Sequence, residues 1–244
     1  MRMKIAVIGG TGLIGSQVVK DLNAAGHQAV PHSRSTGVDV VGGGGVDDAV
    51  EGAEVVVNLT NSPTFDDASP AFCRASMDTL LATARRAGTG HFVILSIVGV
   101  DRVPALDYYR AKVLQEEILR DGPVPYSIVR ATQFMEFMEA VLSWTASDDS
   151  VRLPATPIQP IAAKDVAAAV ADVAVGAPLN GIRNIGGPEV FPLDELGRLT
   201  LAHKGDARTV VTDPGAGMFG AVEGDVLTDL DAHLAPTRYA DWLS

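Results

Sequence analysis

Ile5-Ala6-Val7-Ile8-Gly9-Gly10-Thr11-Gly12-Leu13-Ile14-Gly15 joins an apolar run suited to a buried strand to three closely spaced glycines. The residues that follow, Ser16 to Ala25, repeat apolar positions with the period of a helix. The segment therefore reads as strand, tight turn and helix. It satisfies Gly-x-Gly-x-x-Gly through Gly10, Gly12 and Gly15, and the wider Gly-x-x-Gly-x-x-Gly through Gly9, Gly12 and Gly15. One such glycine permits the turn, one lets backbone approach a pyrophosphate, and one lets the helix pack on its strand. The helix N-terminus presents unpaired N–H groups and a partial positive charge to an anion. The expectation is a dinucleotide site built from Gly9, Thr11, Gly12, Leu13, Ile14 and Gly15.

The whole chain narrows the field around that motif. Its 244 residues are enough to bury a substantial core, and 47% hydrophobic with 20% charged residues is ordinary for a water-soluble globular protein. With 19 basic and 30 acidic residues the net charge is −11 and no Lys/Arg cluster is present, so neither nucleic acid nor an anionic membrane is an expected partner. Cys73 is the single cysteine, which excludes an internal disulfide and fits a reducing compartment. The first apolar run is short for a signal peptide and no run is long enough to span a bilayer, so a cytoplasmic location is expected. His27, His32, His91, His203 and His233 are scattered without ligand spacing, and no metal site is expected.

Beyond the first helix, Gly12 to Ala25, a second strand is expected over His27–His32. In a dinucleotide fold an acidic residue about twenty positions past the glycines binds the ribose 2′-hydroxyl, whereas an arginine accommodates a 2′-phosphate. Here the sequence reads His32-Ser33-Arg34-Ser35, with no acid until Asp39. Arg34 offers a charge-assisted fork and Ser33 and Ser35 offer hydroxyls, which favours NADP (NADPH) over NAD. A short third strand is expected over Val38–Val41, a flexible glycine connection over Gly42–Gly45 and a short helix over Val46–Glu51. Glu54–Leu59 reads as a buried parallel strand with Asn58, Thr60 and Asn61 at its carboxyl end, where open α/β sheets place their ligands. Asn58 and Thr60 are therefore candidates for the ribose and nicotinamide half.

A long helix is expected over Phe65–Ala87, a strand over His91–Ser96 and a helix over Leu106–Glu116. Tyr108 and Lys112 are four residues apart and so share a helix face. An ordinary tyrosine phenol, with a pKa near about 10, exchanges protons poorly at neutral pH. A neighbouring ammonium favours the phenolate and brings the group toward its working range. Ser96, at a strand end, is a candidate to hydrogen-bond a reacting carbonyl oxygen.

With Gly9-Gly10-Thr11-Gly12-Leu13-Ile14-Gly15, the strand-end Ser96 and Tyr108-Tyr109-Arg110-Ala111-Lys112 in this order, the chain resembles a short-chain dehydrogenase/reductase. It is most similar to the atypical group that includes the NmrA-like and NAD(P)H-binding proteins. The resemblance covers Met3 to Gln133 well and the rest loosely. It implies an α/β fold, a Rossmann-type doubly wound parallel sheet with a small C-terminal substrate lobe. It also implies a bound nicotinamide cofactor, Tyr108 as proton donor or acceptor, Lys112 holding the nicotinamide ribose and tuning the tyrosine, and Ser96 orienting a small-molecule substrate. Many atypical members have lost the tyrosine or the serine and act as cofactor sensors, whereas this chain keeps all three. Among relatives a homodimer is common, and nothing in these residues compels one.

A further strand is expected over Pro125–Arg130. In relatives the backbone just after it borders the nicotinamide, here Ala131 to Gln133. Phe134, Phe137, Met138, Val141 and Leu142 then form one apolar helix face. Most of that face reads as core, with Gln133 and Phe134 the candidates for substrate contact. A helix over Ala163–Val175, a strand over Gly181–Ile185, a helix over Leu193–His203 and a strand over Ala207–Thr212 complete the pattern. Residues 1–244 are expected to form a single NAD(P)-binding Rossmann domain, its substrate lobe drawn from parts of about 134–160 and 186–244. The leading functional expectation is an NADP-dependent oxidoreductase acting on a carbonyl or alcohol of a small apolar substrate. The second is an NmrA-like non-catalytic sensor of NAD(P)(H), and the third an epimerase or dehydratase, for whose substrate lobe the chain looks short.

Overall fold

The computed structural model of the chain describes residues 2–64 and 66–244. Its first half alternates strand and helix: β1 (Lys4–Ile8), α1 (Leu13–Ala24), β2 (Gln28–His32), α2 (Val46–Val50), β3 (Val55–Asn58), α3 (Ser69–Ala87), β4 (His91–Ile97), α4 (Asp107–Arg120) and β5 (Tyr126–Ala131). After these come α5 (Met138–Trp144), β6 (Ser150–Leu153), β7 (Pro157–Ile158), α6 (Ala163–Val175) and β8 (Gly181–Gly186). The chain ends with β9 (Phe191–Pro192), α7 (Leu193–Lys204), β10 (Thr209–Thr212), β11 (His233–Leu234) and α8 (Tyr239–Leu243).

Seven strands form the parallel Rossmann-type sheet, in the order β11-β8-β5-β4-β3-β1-β2. The chain runs from β1 to β2 on one side and then crosses to β3 on the other. The order thus reverses at β1, and the carboxyl ends of β1 and β3 flank the switch point at which such sheets bind ligands. Strand register places Ile8 beside both His32 and Asn58, so three strand ends converge there. Val55, Val56 and Val57 of β3 are all buried, as a strand covered by helices on both faces requires.

Packing divides the chain into two units. The first comprises the residues up to Ser96 together with Asp107–Arg130 and Val166–Arg183, and the second comprises Ile97–Leu106, Ala131–Asp165 and Asn184–Ser244. In the first unit Ala6, Ile8, Val56, Phe92 and Ile94 of the strands bury against Met77, Leu80 and Leu119 of α3 and α4. In the second, β6 pairs in parallel with β10, and β7 pairs antiparallel with β9. The Glu136 carboxylate there accepts the Ala163 N–H at the start of α6 and the indole N–H of Trp242 in α8. Among the described residues no helix is long and apolar enough to cross a membrane.

Several local expectations are corrected. Val38–Val41 is not a strand: the Asp39 side chain accepts the Val41 N–H at 3.0 Å, and the Asp39 backbone pairs with Gly43 and Gly44. The segment closes on itself as a loop while burying Val38 and Val40. The helix expected from Phe65 begins at Ser69, and Phe65 itself lies outside the described residues. The apolar face beginning at Phe134 is not one helix. Phe134 is extended, Met135–Phe137 form a single tight turn, and α5 starts at Met138.

The approach of α1 to the turn before it sets the geometry at the switch point. A Cβ added at Gly15 would lie 2.2 Å from the Gly9 carbonyl oxygen. Alanine gains about 1 kcal/mol over glycine in a helix, but overpacking a rigid backbone contact costs about 1–3 kcal/mol or more. At 2.2 Å from a backbone oxygen the contact lies at the upper end of that range, so Gly15→Ala is expected to lower the stability measured by equilibrium urea unfolding by about 2 kcal/mol net, the reverse of the propensity effect.

Candidate functional site

The site is built outward from the glycine turn. Gly9 has φ +80°, and a Cβ there would lie 2.9 Å from the Leu59 carbonyl group, so the position demands glycine twice over. The N–H groups of Gly9 and Gly10 both donate to the His32 carbonyl, at 2.8 and 3.1 Å, which pins the turn to the end of β2. Gly12 is the N-cap of α1 and supplies no side-chain cap, and the first turn of α1 contains no acidic residue. The first N–H groups of a helix have no intrahelical acceptor, and they lie at the positive end of its dipole. A cleft of about 300 Å³ opens at this point, with Gly9, Thr11 and Gly12 among its lining residues. Among the described residues, chain neighbours and the helix's own backbone aside, the Gly9 oxygen at 3.4 Å is the one atom within van der Waals range of a Cβ built on Gly12. Leu13 is exposed beside the cleft, whereas Ile14 and Gly15 are buried behind it.

Ser33 and Arg34 border the same cleft. Thr36 Oγ1 accepts the Ser33 N–H at 2.8 Å, the Ser33 and Ser35 hydroxyls lie 2.8 Å apart, and the tight turn Arg34–Thr36 closes on Gly37. Arg34 is exposed. The nearest acid along the chain, Asp39, accepts backbone N–H groups of Gly42 and Val41, which hold its carboxyl below the usual range. Its carboxylate thus serves its own loop. Val38, Val40 and Phe72 give the cleft an apolar wall. Sequence reasoning missed that wall, because the Val38-x-Val40 alternation reads equally well as a strand.

On the other side of the cleft stand Thr60 and Asn61. Asn58 is buried, and its Oδ1 accepts both the Thr60 N–H at 3.0 Å and the Thr60 hydroxyl at 2.7 Å. Its side chain shapes the loop from beneath, and Thr60 and Asn61 are the residues that reach the cleft.

The helix-borne pair lies in the same unit. The Tyr108 hydroxyl donates to Asn61 Oδ1 at 2.9 Å, which links α4 to a cleft residue. Lys112 is buried, and its ammonium donates to the Leu95 carbonyl and to Gln115 Oε1, both at 2.8 Å. The expected lowering of the tyrosine pKa by Lys112 is not what this geometry gives. Burial pushes the Tyr108 phenol up to about 12, with the Asn61 hydrogen bond opposing the shift. Burial likewise pulls the Lys112 ammonium down, opposed by Cys73 and Glu116.

Ser96 is buried and its hydroxyl donates to Glu116 Oε1 at 2.6 Å. Glu116 also receives Arg130 through Nε at 2.8 Å and Nη2 at 2.7 Å, and Arg120 through Nη2 at 2.7 Å. The serine therefore belongs to a buried ion network that ties α4 to β4 and β5, rather than presenting a free hydroxyl. Gln133 and Phe134 belong to the second unit, where they help line a small apolar cavity.

Comparison with known proteins gives three findings. A family model described as NAD(P)H-binding matches residues 9–175. A chloroplastic divinyl chlorophyllide a 8-vinyl-reductase of Oryza sativa subsp. indica is 32% identical over 231 residues, covering 78% of this chain and 56% of that protein. The chain thus spans about half the length of the plant relatives it matches. Among solved structures, the Thermus thermophilus UDP-glucose 4-epimerase complex with NAD has a TM-score of 0.70 at 20% identity, covering 88% of each chain. The Bacillus anthracis dTDP-4-dehydrorhamnose reductase in complex with NADP has a TM-score of 0.71 at 14% identity, covering 87% of this chain and 85% of that one. At these identities the structures report a shared fold.

The environment of Tyr108 makes a prediction of its own. Between pH 10, the ordinary phenol value, and about 12, the unfolded chain ionises at this tyrosine and the folded chain does not. Its contribution to stability is complete below the unfolded pKa and is lost as pH rises through the folded one. The ultraviolet difference titration of wild type minus Tyr108→Phe should show one phenol with a midpoint about 12. Stability of Tyr108→Phe should fall less steeply across that window than stability of the wild type.

Proposed function

Because the chain belongs to the NAD(P)H-binding family, we propose that it is an NADP-dependent oxidoreductase of the short-chain dehydrogenase/reductase type, acting on a carbonyl or alcohol of a small apolar substrate. The observation that carries this reading is the uncapped N-terminus of α1 opening onto a cleft bordered by Arg34 on one side and by Asn61, the partner of Tyr108, on the other.

The residues present fit a nicotinamide dinucleotide. Among the described residues only the Gly9 oxygen comes within contact range of a Cβ at Gly12, which lines the cleft, so a side chain there would take space where a pyrophosphate must come close. The N–H groups at the start of α1 and the Thr11 hydroxyl would hold the pyrophosphate. Val38, Val40 and Phe72 would face the adenine, and Thr60 and Asn61 the ribose toward the nicotinamide. Arg34, with Ser33 and Ser35, would hold a 2′-phosphate, while Asp39, the next acid along the chain, is engaged by its own loop. When bound, the nicotinamide supplies or accepts the hydride.

Tyr108 holds its proton on Oη and so is in the donor form for a substrate oxygen in the direction of reduction, although its raised pKa makes it a weak acid whose proton moves only as charge develops on that oxygen. For that transfer its hydroxyl must exchange Asn61 Oδ1 for the substrate oxygen. Lys112 contributes a buried positive charge fixed at the end of β4, and Ser96 acts on the site through Glu116, by holding α4. Gln133 and Phe134 are the proposed substrate contacts. A relative named as a reductase supports oxidoreductase chemistry in general, its own name specifying a vinyl group rather than a carbonyl. A second reading, cofactor sensing without turnover, is favoured by one observation, the engagement of the Ser96 hydroxyl by Glu116.

A fluorescence titration with NADPH and NADH separates the parts of this proposal. Arg34→Ala should lose about tenfold to a hundredfold in NADPH affinity, the worth of a charge-assisted phosphate contact, and leave NADH unchanged. Equal losses for both nucleotides would remove the 2′-phosphate assignment. On a panel of carbonyl substrates Tyr108→Phe should keep NADPH binding and lose turnover. Tight NADPH binding by wild type with no turnover on any member of the panel would select the sensor.

A further inference from the structure

In the second unit Gln133, Phe134, Phe137, Met138, Ile158 and Phe219 line a small cavity of about 10 Å³. Gln133 is the one polar side chain among all the residues that line it. Among the described residues, its Nε2 and Oε1 are both buried and without a hydrogen-bond partner. A buried amide donor and acceptor left unmet forfeit the hydrogen bonds that water gave them in the unfolded chain. Gln159, a fully buried glutamine of this unit, shows the ordinary arrangement: its Nε2 donates to the Gly187 carbonyl at 2.7 Å, and its Oε1 accepts the Asp229 N–H at 2.8 Å. The Gln133 carbonyl is itself engaged, accepting the Ile161 N–H at 2.9 Å.

A trapped water is the usual remedy for such a group, and here it fits poorly. A cavity of this volume is at the limit for one molecule, and a well-held water has two to four polar partners. This lining offers a single polar side chain. The walls, by contrast, can yield. Phe134 and Phe137 are only partly buried, and Met138 has an unbranched side chain that adapts to what it packs against.

We propose that Gln133 reads a substrate whose apolar body carries a flat, neutral donor–acceptor edge, as in a lactam, a cis-amide or a protonated carboxylic acid. Nε2 donates to the carbonyl oxygen of that edge and Oε1 accepts its N–H or O–H. Both unmet groups are then satisfied together, and the aromatic and aliphatic walls enclose the apolar remainder. This rests on the oxidoreductase reading for the word substrate, while the recognition itself needs no cofactor. The cavity also has a built-in reporter. Trp144, 42% exposed, meets Phe137 edge-on at 5.2 Å and stacks on Phe219 at 6.4 Å, so entry of a ligand between these rings changes its surroundings.

The test is a tryptophan-emission titration of the full chain with three seven-membered rings that differ only at the polar edge: ε-caprolactam, N-methyl-ε-caprolactam and ε-caprolactone. The wild type should bind the lactam about tenfold more tightly than either analogue that lacks the donor, as one lost hydrogen bond to a buried partner predicts. Gln133→Leu should erase that ranking, and Gln133→Met, closer in shape, serves should the leucine variant fail to fold. Trp144→Phe should abolish the signal. Equal affinities for the three rings, no binding of any of them, or a ranking that survives both Gln133 variants would overturn the proposal. NADPH titration of the same samples keeps the two readings apart. NADPH binding without lactam discrimination overturns this inference alone. Lactam discrimination without NADPH binding upholds Gln133 as a ligand reader and overturns the oxidoreductase reading.

Discussion

The backbone-to-backbone contact between the first turn of α1 and the turn before it is the constraint on which the site depends. Gly15 sits so near the Gly9 oxygen that no side chain fits between helix and turn. The turn is in turn tied to β2 by two N–H donors sharing the His32 carbonyl. Main-chain atoms alone thus fix the mutual placement of β1, α1 and β2, and they leave the N-terminus of α1 without a side-chain cap where the sheet reverses its order. The polar lips of the cleft, Arg34 and Thr60–Asn61, follow directly from the ends of β2 and β3.

A second, electrostatic constraint orients α4. Glu116 is almost fully buried and gathers Ser96, Arg120 and Arg130. Buried ion pairs of this kind add little net stability over an apolar core, but removing one partner leaves a charge unmatched at a cost of about 3–5 kcal/mol. The network thereby resists any rotation of α4 that would separate its members. One turn earlier on the same helix Lys112 is fastened to the Leu95 carbonyl, and one turn before that Tyr108 reaches Asn61. The placement of the tyrosine beside the cleft is thus inherited from interactions at the other end of the helix.

Much of the first half of this architecture was legible in the sequence. The change from an apolar run to helical periodicity across Gly9–Gly15 is a local signal, and local signals survive folding. The parallel α/β sheet followed from repeating that reading along the chain. What was not legible falls into two kinds. Short strands such as β7, β9 and β11, two residues each, hold no periodicity to detect. The choice between a strand and a loop at Val38–Val41 turned on one side chain, Asp39, capping a neighbouring N–H. The partners of polar side chains were also hidden. Asn58 turns to Thr60 and Ser96 to Glu116, and neither the pairing of Ser96 across twenty residues nor the burial that raises the Tyr108 pKa is written in the spacing of the residues themselves.

If the chain works as proposed, the turn at Gly9–Gly15 and the loop at Ser33–Thr36 together hold a nicotinamide dinucleotide phosphate. Amide hydrogen exchange with and without NADPH reads both places at once, residue by residue. Saturating NADPH should slow exchange at the first amides of α1 and at the Ser33–Thr36 amides, and NADH should slow the first group alone. Exchange at both segments unchanged by NADPH would contradict the assignment.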